Sequence, residues 1–292
     1  MRIGFVGGGR VGKAYGKFLK SRGYDVCGYF SRTQSSAIEA ASFAGTSWYG
    51  SMEELAEASD MIFLTVNDDQ IPLTAKKMSD ADAALDGKIV VHMSGALSSG
   101  ELEVLKKRGC HTYSLHPLLS FAEPVKAWKR VGDAVFSVEG DGEKMQTVKR
   151  MLKDTGCSFF EIETDKKALY HAAACVASNY VTVLLDYAFS LYLDMGLSRQ
   201  DAAKALLPLS KGTVQNAEDG GPEKTLTGPI SRGDAGVIRL HMEAFDKSAK
   251  EKEDFYRLMG LQTVDYVSRY GLQPEEKIEE MKKILNRGEL NG

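Results

Sequence analysis

The run Gly7-Gly-Gly-Arg-Val-Gly12, set directly behind the apolar residues 3–6, limits what this chain can fold into more than any other stretch. Residues 3–6 are too few for a buried helix and read as a buried strand, while Ala14, Phe18 and Leu19 open a helical repeat just beyond the glycines. In the Gly7-x-Gly9-x-x-Gly12 spacing, Gly7 permits the tight turn, Gly9 lets a pyrophosphate approach the backbone, and Gly12 lets the helix pack close on the strand. The first N–H groups of the helix have no partner within it and point at whatever anion sits there. Glycine-rich turns also arise for structural reasons alone. Here the flanking strand and helix complete a dinucleotide-binding unit, so Gly7, Gly8, Gly9, Arg10, Val11 and Gly12 are candidate cofactor residues.

The cofactor is chosen where the second strand, residues 25–30, runs into Ser31-Arg32-Thr33. NAD-binding proteins place an Asp or Glu here to accept from the ribose 2′-hydroxyl, whereas an Arg with neighbouring hydroxyls suits the 2′-phosphate of NADP. No acid is present, which points to NADP held by Ser31, Arg32 and Thr33; the alternative is that Arg32 is a solvated residue opening the next helix. Ser51-Met-Glu-Glu54 has the form of a capping box. Residues 61–66, 88–91, 111–115, 133–138 and 157–162 read as further strands, the last two bracketing an amphipathic helix with Met145, Val148, Met151 and Leu152 inward.

Strands alternating with helices predict an α/β fold: a doubly wound, mainly parallel Rossmann-type sheet over residues 1–164, followed by a smaller all-α domain over 165–292. At 292 residues two domains are the default for size alone. In such sheets the ligand lies outside the carboxyl ends of the strands. Those ends add Val66, Asn67, Asp68 and Ser94 to the cofactor set, and they place His116, fixed in extended geometry by Pro117, toward the nicotinamide end.

The formal net charge of −3 gives no electrostatic reason to expect nucleic acid or an acidic membrane as partner. No apolar run is expected to reach the length of a membrane span, and the chain enters its first strand at once, so a cytoplasmic protein is expected. Cys27, Cys110, Cys157 and Cys175 are scattered without C-x-x-C pairing, which suits free thiols rather than a disulfide framework or a metal site.

Residues 166–194 carry helical periodicity without glycine or proline until Gly196. Along this helix His171, Cys175, Ser178 and Asn179 fall on one face, among small alanines, either as a tightly packed core stripe or as a polar stripe facing the nicotinamide. Later, Thr227-Gly-Pro-x-x-Arg232-Gly-Asp234 is richer in polar and backbone-special residues than a helix connection needs. Asp234 can cap the next helix, and Arg232 can bind a substrate carboxylate bidentately or pair with Asp234.

Taken together, the Gly7–Gly12 run, Ser31-Arg32, His116-Pro-Leu118 with Ser120-Phe121, His171-Ala-Ala-Ala with Ser178-Asn179, and Thr227-Gly-Pro-x-x-Arg-Gly-Asp234 resemble a largely uncharacterised family. That family joins an NADP-type Rossmann domain to a C-terminal helical domain of unknown function. Its architecture is similar to pyrroline-5-carboxylate reductase, ketopantoate reductase and the β-hydroxyacid dehydrogenases, whose helical part is of the 6-phosphogluconate dehydrogenase C-terminal type. The resemblance implies an oxidoreductase and a homodimer built through the helical domain. β-Hydroxyacid dehydrogenases and ketopantoate reductases carry a catalytic Lys with an Asn four residues later on the first interdomain helix; His171 and Cys175 stand at that spacing here. The His-Pro pair is similar to one in prephenate dehydrogenases.

The expected activity is hydride transfer from NADPH to a small carbonyl or imine compound, carboxylate-bearing, with His171 or His116 giving the proton and Asn179 beside them. Ser178, Thr227, Arg232 and Asp234 are the candidate substrate residues, and no metal is called for. The alternatives are a non-catalytic NADP-binding sensor and a deazaflavin-linked NADP oxidoreductase.

Overall fold

A computed structural model of the chain describes residues 1–140 and 142–286. It forms two compact units, Met1–Asn179 and Tyr180–Gly292.

In the first unit, strands and helices follow one another as β1 (Arg2–Val6), α1 (Arg10–Ser21), β2 (Asp25–Phe30), α2 (Gln34–Ala44), β3 (Ser47–Trp48), α3 (Met52–Ala58), β4 (Met61–Leu64), α4 (Ile71–Asp80) and β5 (Ile89–His92). The series continues with α5 (Glu103–Lys106), β6 (His111–Pro117), α6 (Pro124–Ala127), β7 (Val135–Glu139), α7 (Met145–Asp154), β8 (Ser158–Glu161) and α8 (Lys167–Cys175). The eight strands make one sheet in the order β3-β2-β1-β4-β5-β6-β7-β8, parallel throughout except where β7 runs antiparallel to β6. This is the doubly wound, mainly parallel sheet that the alternating pattern predicts.

Every residue of β4 and β5 is buried, as expected for strands covered on both faces. Alternate residues feed separate cores. Met61, Phe63, Ile89 and Val91 join Phe5, Tyr15 and Tyr29 on one face, whereas Ile62, Leu64 and Val90 join Leu55, Leu102 and Leu105 on the other. Phe5 stacks between Tyr29 and Phe63, with ring centroids 5.1 and 5.2 Å away. Ser51 Oγ accepts from Glu54 N at 3.2 Å as a capping box requires, but the reciprocal bond from the Glu54 carboxylate goes to Gly50 N.

Two sequence expectations change here. The helix over 166–194 is interrupted by a π turn at Val176–Tyr180, so the wider i→i+5 turn displaces Ser178 and Asn179 from the single α-helical face read from spacing. The helical run Thr164–Asp194 is also, by length and composition, apolar enough to cross a membrane, with a mean hydropathy of 1.4 over 18 residues that are not buried. Its charges crowd toward its ends, at Asp165, Lys166 and Lys167 and at Asp186 and Asp194, which leaves the middle apolar. The sequence division at 164/165 follows the last strand. The compact units divide at 179/180 because Lys167, Tyr170 and His171 of α8 pack on β5 and β6 residues.

The second unit is helical: α9 (Val181–Asp194), α10 (Arg199–Gly220), α11 (Ala235–Ser248), α12 (Glu253–Arg269) and α13 (Glu275–Leu285). Its core gathers Ile238, Val264, Val267, Ile278 and Met281. Ser198 caps α10 and Asp234 caps α11 through Asp201 N and Val237 N.

Candidate active site

The glycine turn is locked onto the end of β4. Gly7 adopts φ +112°, and a Cβ there would lie 2.7 Å from Thr65 O. One on Gly8 would meet Ser36 O at 2.4 Å, and one on Gly12 would meet Thr65 Oγ1 at 2.4 Å and Gly7 O at 2.5 Å. Thr65 Oγ1 donates to Gly7 O at 2.8 Å and fixes the turn. Gly9 differs, since its nearest neighbour would be Thr65 O at 3.7 Å. Packing therefore demands Gly7, Gly8 and Gly12, while Gly9 borders open space. As N-cap of α1, Gly9 offers no side-chain cap, and the first turn carries no acid, so the leading N–H groups are available to an anion.

Two cavities flank this turn. One, of about 500 Å³, is lined by Gly7, Gly8, Gly9, Ser31, Arg32 and Thr33 together with Ser36, Val66, Asn67, Gln70, Thr74 and Lys77. Its lining includes two cations, Arg32 and Lys77, and no carboxylate. Gln70, Thr74 and Lys77 stand at helical spacings of four and three, which turns one stripe of α4 toward it. The other, of about 590 Å³, is lined by Gly9, Arg10, Val11, Val66, Asn67, Asp68, Met93 and Ser94. The structure thus brings every candidate cofactor residue except Gly12 to one of two cavities that share Gly9, Val66 and Asn67; Gly12 is taken up by helix–strand packing.

The residues after β5 carry this second cavity toward the histidines. Ser94 Oγ donates to Asp68 Oδ2 at 2.8 Å and accepts from Ala96 N and Leu97 N. His92, fully buried, has Nε2 2.9 Å from Ser98 O, and its Nδ1 accepts from Ser94 N at 3.3 Å. Burial brings its pKa down to about 4, so the ring is neutral and donates from Nε2. Gly95 follows. A Cβ there would lie 2.5 Å from His171 Cδ2 and 2.9 Å from His116 Nε2, so the backbone is seated against both rings. Those rings stand 5.8 Å apart at 86°. Tyr170 Oη lies 2.8 Å from His116 Nδ1, and Cys175 Sγ lies 3.9 Å from His171 Nε2. Burial first, then the charge of Lys167 and then His171, pull the His116 pKa down to about 4.

Lys167 is the residue that sequence reasoning missed. It is 1% exposed, and its Nζ donates to Ser114 Oγ at 2.6 Å and to Ser94 O at 3.2 Å. Burial lowers its pKa to about 8, against the opposing pull of Glu139 and Asp68. The available signal was its place four residues before His171. The Lys-x-x-x pattern attributed above to the β-hydroxyacid dehydrogenases fits Lys167 and His171, one turn earlier than His171 and Cys175. Lys77 was missed too, because its helix face is set only by the fold.

Ser178 and Asn179 are exposed within the π turn. In the second unit, Thr227 lines a cavity of about 760 Å³ with Pro208, Asn216, Leu226 and Tyr266. Asp234 is occupied as the α11 cap, and Arg232 is exposed.

Residues 1–117 match the family model of a Rossmann-like domain, and residues 134–263 match that of a Domain of unknown function (DUF2520). The chain carries a Rossmann-like domain followed by a DUF2520 domain. No functionally curated protein matches the sequence. Among solved structures, a Thermotoga maritima protein is 28% identical with a TM-score of 0.62 over 96% of this chain and 98% of its own. A Bacteroides fragilis protein provisionally named an NADP oxidoreductase is 18% identical, with a TM-score of 0.72 over 88% of this chain and 95% of its own. Plasmodium falciparum pyrroline carboxylate reductase, solved with NADP bound, is 16% identical, with a TM-score of 0.60 over 98% of both chains. The last two likenesses speak for the fold alone. In the Rossmann-like domain the glycines divide into packing and open positions, which has a direct test. Gly12→Ala should destabilise the fold by about 1–3 kcal/mol through overpacking, and by more than Gly9→Ala, whose methyl enters open space. Denaturant midpoints lowered equally by the two substitutions would contradict the division.

Proposed function

We propose that the chain is an NADPH-dependent reductase of a small carbonyl or imine compound. The observation that carries this reading is the carboxylate-free cavity holding Arg32 and Lys77, continuous through Gly9 with a second cavity whose edge, at Ser94 and Gly95, meets Lys167, His116 and His171. The residues fit the cofactor: Gly9 leaves room at the uncapped start of α1 for a pyrophosphate, and Ser31, Arg32, Thr33, Ser36 and Lys77 would hold a 2′-phosphate. NADP is also what the Plasmodium reductase of like fold was solved with.

When bound, reduced nicotinamide supplies a hydride to the substrate carbon. The chain's own part is to position and to move a proton. Ser94 and Asp68 hold the floor of the second cavity by their mutual hydrogen bond, and the neutral His92 holds the turn that follows. His171, half-buried with its ring edge against Gly95, is placed to give a proton to the developing alkoxide or amine, a role whose removal typically costs 10²–10⁴-fold in rate. His116 is the poorer donor, since burial and Lys167 hold it neutral.

The cofactor part is tested by calorimetric titration. Arg32→Ala should weaken NADPH by about 1.5–3 kcal/mol, roughly 10- to 150-fold, and leave NADH nearly unchanged. Equal losses for both would sink the 2′-phosphate assignment. The proton-transfer part is tested by His171→Asn with a panel of carbonyl and imine substrates, where kcat should fall by roughly 10²–10⁴-fold at unaltered NADPH affinity. Tight NADPH binding without turnover of any panel member would favour a non-catalytic sensor instead.

Homodimerisation through the helical unit is proposed on its exposed apolar side chains, Val181, Val183 and Leu184 on α9 and Leu207, Leu209 and Val214 on α10. Sedimentation should show a dimer at micromolar concentration that Val183→Asp with Leu209→Asp converts to monomer. A monomeric wild type would refute it.

A further inference from the structure

We propose that Lys167 is a positioning residue that keeps His116 uncharged and so leaves the transferable proton to His171. The purpose of this device rests on the reductase reading; its geometry does not. Ser114 and His116 are two apart on β6 and share a face of the strand, while Lys167 and His171 are four apart on α8 and share a face of the helix. Strand and helix therefore meet in two successive rungs. The first is Lys167 Nζ on Ser114 Oγ at 2.6 Å, and the second is His171 edge-on to His116 at 5.8 Å. Lys167 also takes Ser94 O at 3.2 Å, which holds the backbone that brings Gly95 up between the two rings.

The charged and titratable groups around this pair come from every element packed on it. Lys167 faces Glu139 of β7, Asp68 ahead of α4, His92 of β5 and His116 of β6; His116 in turn faces Lys167, Tyr170 and His171 of α8. Both carboxylates are engaged elsewhere. Glu139 accepts from Ser99 N, Ser99 Oγ and Thr164 Oγ1, and Asp68 accepts from Ser94 Oγ. The ammonium's hydrogen bonds go to a hydroxyl and a carbonyl, neither of which cancels its charge. In a low-dielectric surrounding that charge acts on the ring in the next rung. The sign follows directly: burial already favours neutral imidazole, and a neighbouring cation disfavours protonation further. With the Lys167 pKa at about 8, the ammonium is present at neutral pH, where His116, at about 4, has long lost its proton. One member of a histidine pair in contact is thereby fixed as neutral, and a substrate proton has a single source.

The test is a histidine NMR titration of the full chain, which needs neither cofactor nor turnover, so its failure is separate from failure of the reductase reading. Wild-type His116 should protonate near pH 4. Lys167→Gln, which can still donate to Ser114 and Ser94, and Lys167→Met should both raise that midpoint by roughly one unit, a tenfold change in protonation constant; Lys167→Arg should leave it in place. A wild-type midpoint close to that of free histidine, or one unmoved in both neutral variants, overturns the proposal. So does unfolding of both neutral variants by circular dichroism, which would make Lys167 a tie between strands and nothing more.

Discussion

The grip of Thr65 on the glycine turn is what the first unit depends on. Its hydroxyl holds Gly7 O, and its backbone and side chain fill the space that Cβ atoms on Gly7 and Gly12 would need. The turn is thereby forced so tight that α1 starts immediately above the sheet, with no side chain to cap it. Unpaired helix N–H groups are costly unless water or an anion meets them. The fold thus creates an unmet hydrogen-bonding demand at the carboxyl end of β1, at a point where Gly9 leaves open space. Ligand binding at that edge follows from how the sheet is closed as much as from the cavity beside it.

Charge is distributed against the chain's overall balance. A protein of net charge −3 surrounds one cavity with two cations and no carboxylate, and buries a third cation beside two histidines. Burying an ammonium is expensive without hydrogen bonds to satisfy it. Ser114 Oγ and Ser94 O provide them from neighbouring strands, and this ties β5 to β6 at the edge where His116 emerges. The same contact that lets the sheet tolerate Lys167 puts its charge beside the ring of His116.

Much of this was legible in the residues themselves. The glycine spacing, the absence of an acid at Ser31-Arg32-Thr33 and the caps at Ser198 and Asp234 are local features, each decided within a few residues, and the fold places them where spacing implied. The Lys167 environment was not legible, because burial of a lysine beside Lys166 at a helix start depends on β5 and β6 lying side by side, more than fifty residues away in sequence for the Ser114 contact. The reversal of β7 against β6 and the two-residue β3 likewise follow from pairing partners rather than from patterns within the strands. The π turn escaped notice since its residues are as helical in composition as those around it, and it altered which side chains share a face. Non-local contacts thus decided the proton-handling end of the site, whereas local chemistry decided the phosphate end.

The central claim is that the first unit exists to hold a 2′-phosphorylated dinucleotide across the Gly9 opening. Equilibrium titration of the wild-type chain with NADPH and with NADH, followed by nicotinamide fluorescence, tests it most directly. The account predicts saturable binding of both, with NADPH tighter by about tenfold or more, the equivalent of one additional charged contact. Equal affinity for the two, or no saturable binding of either, would contradict it.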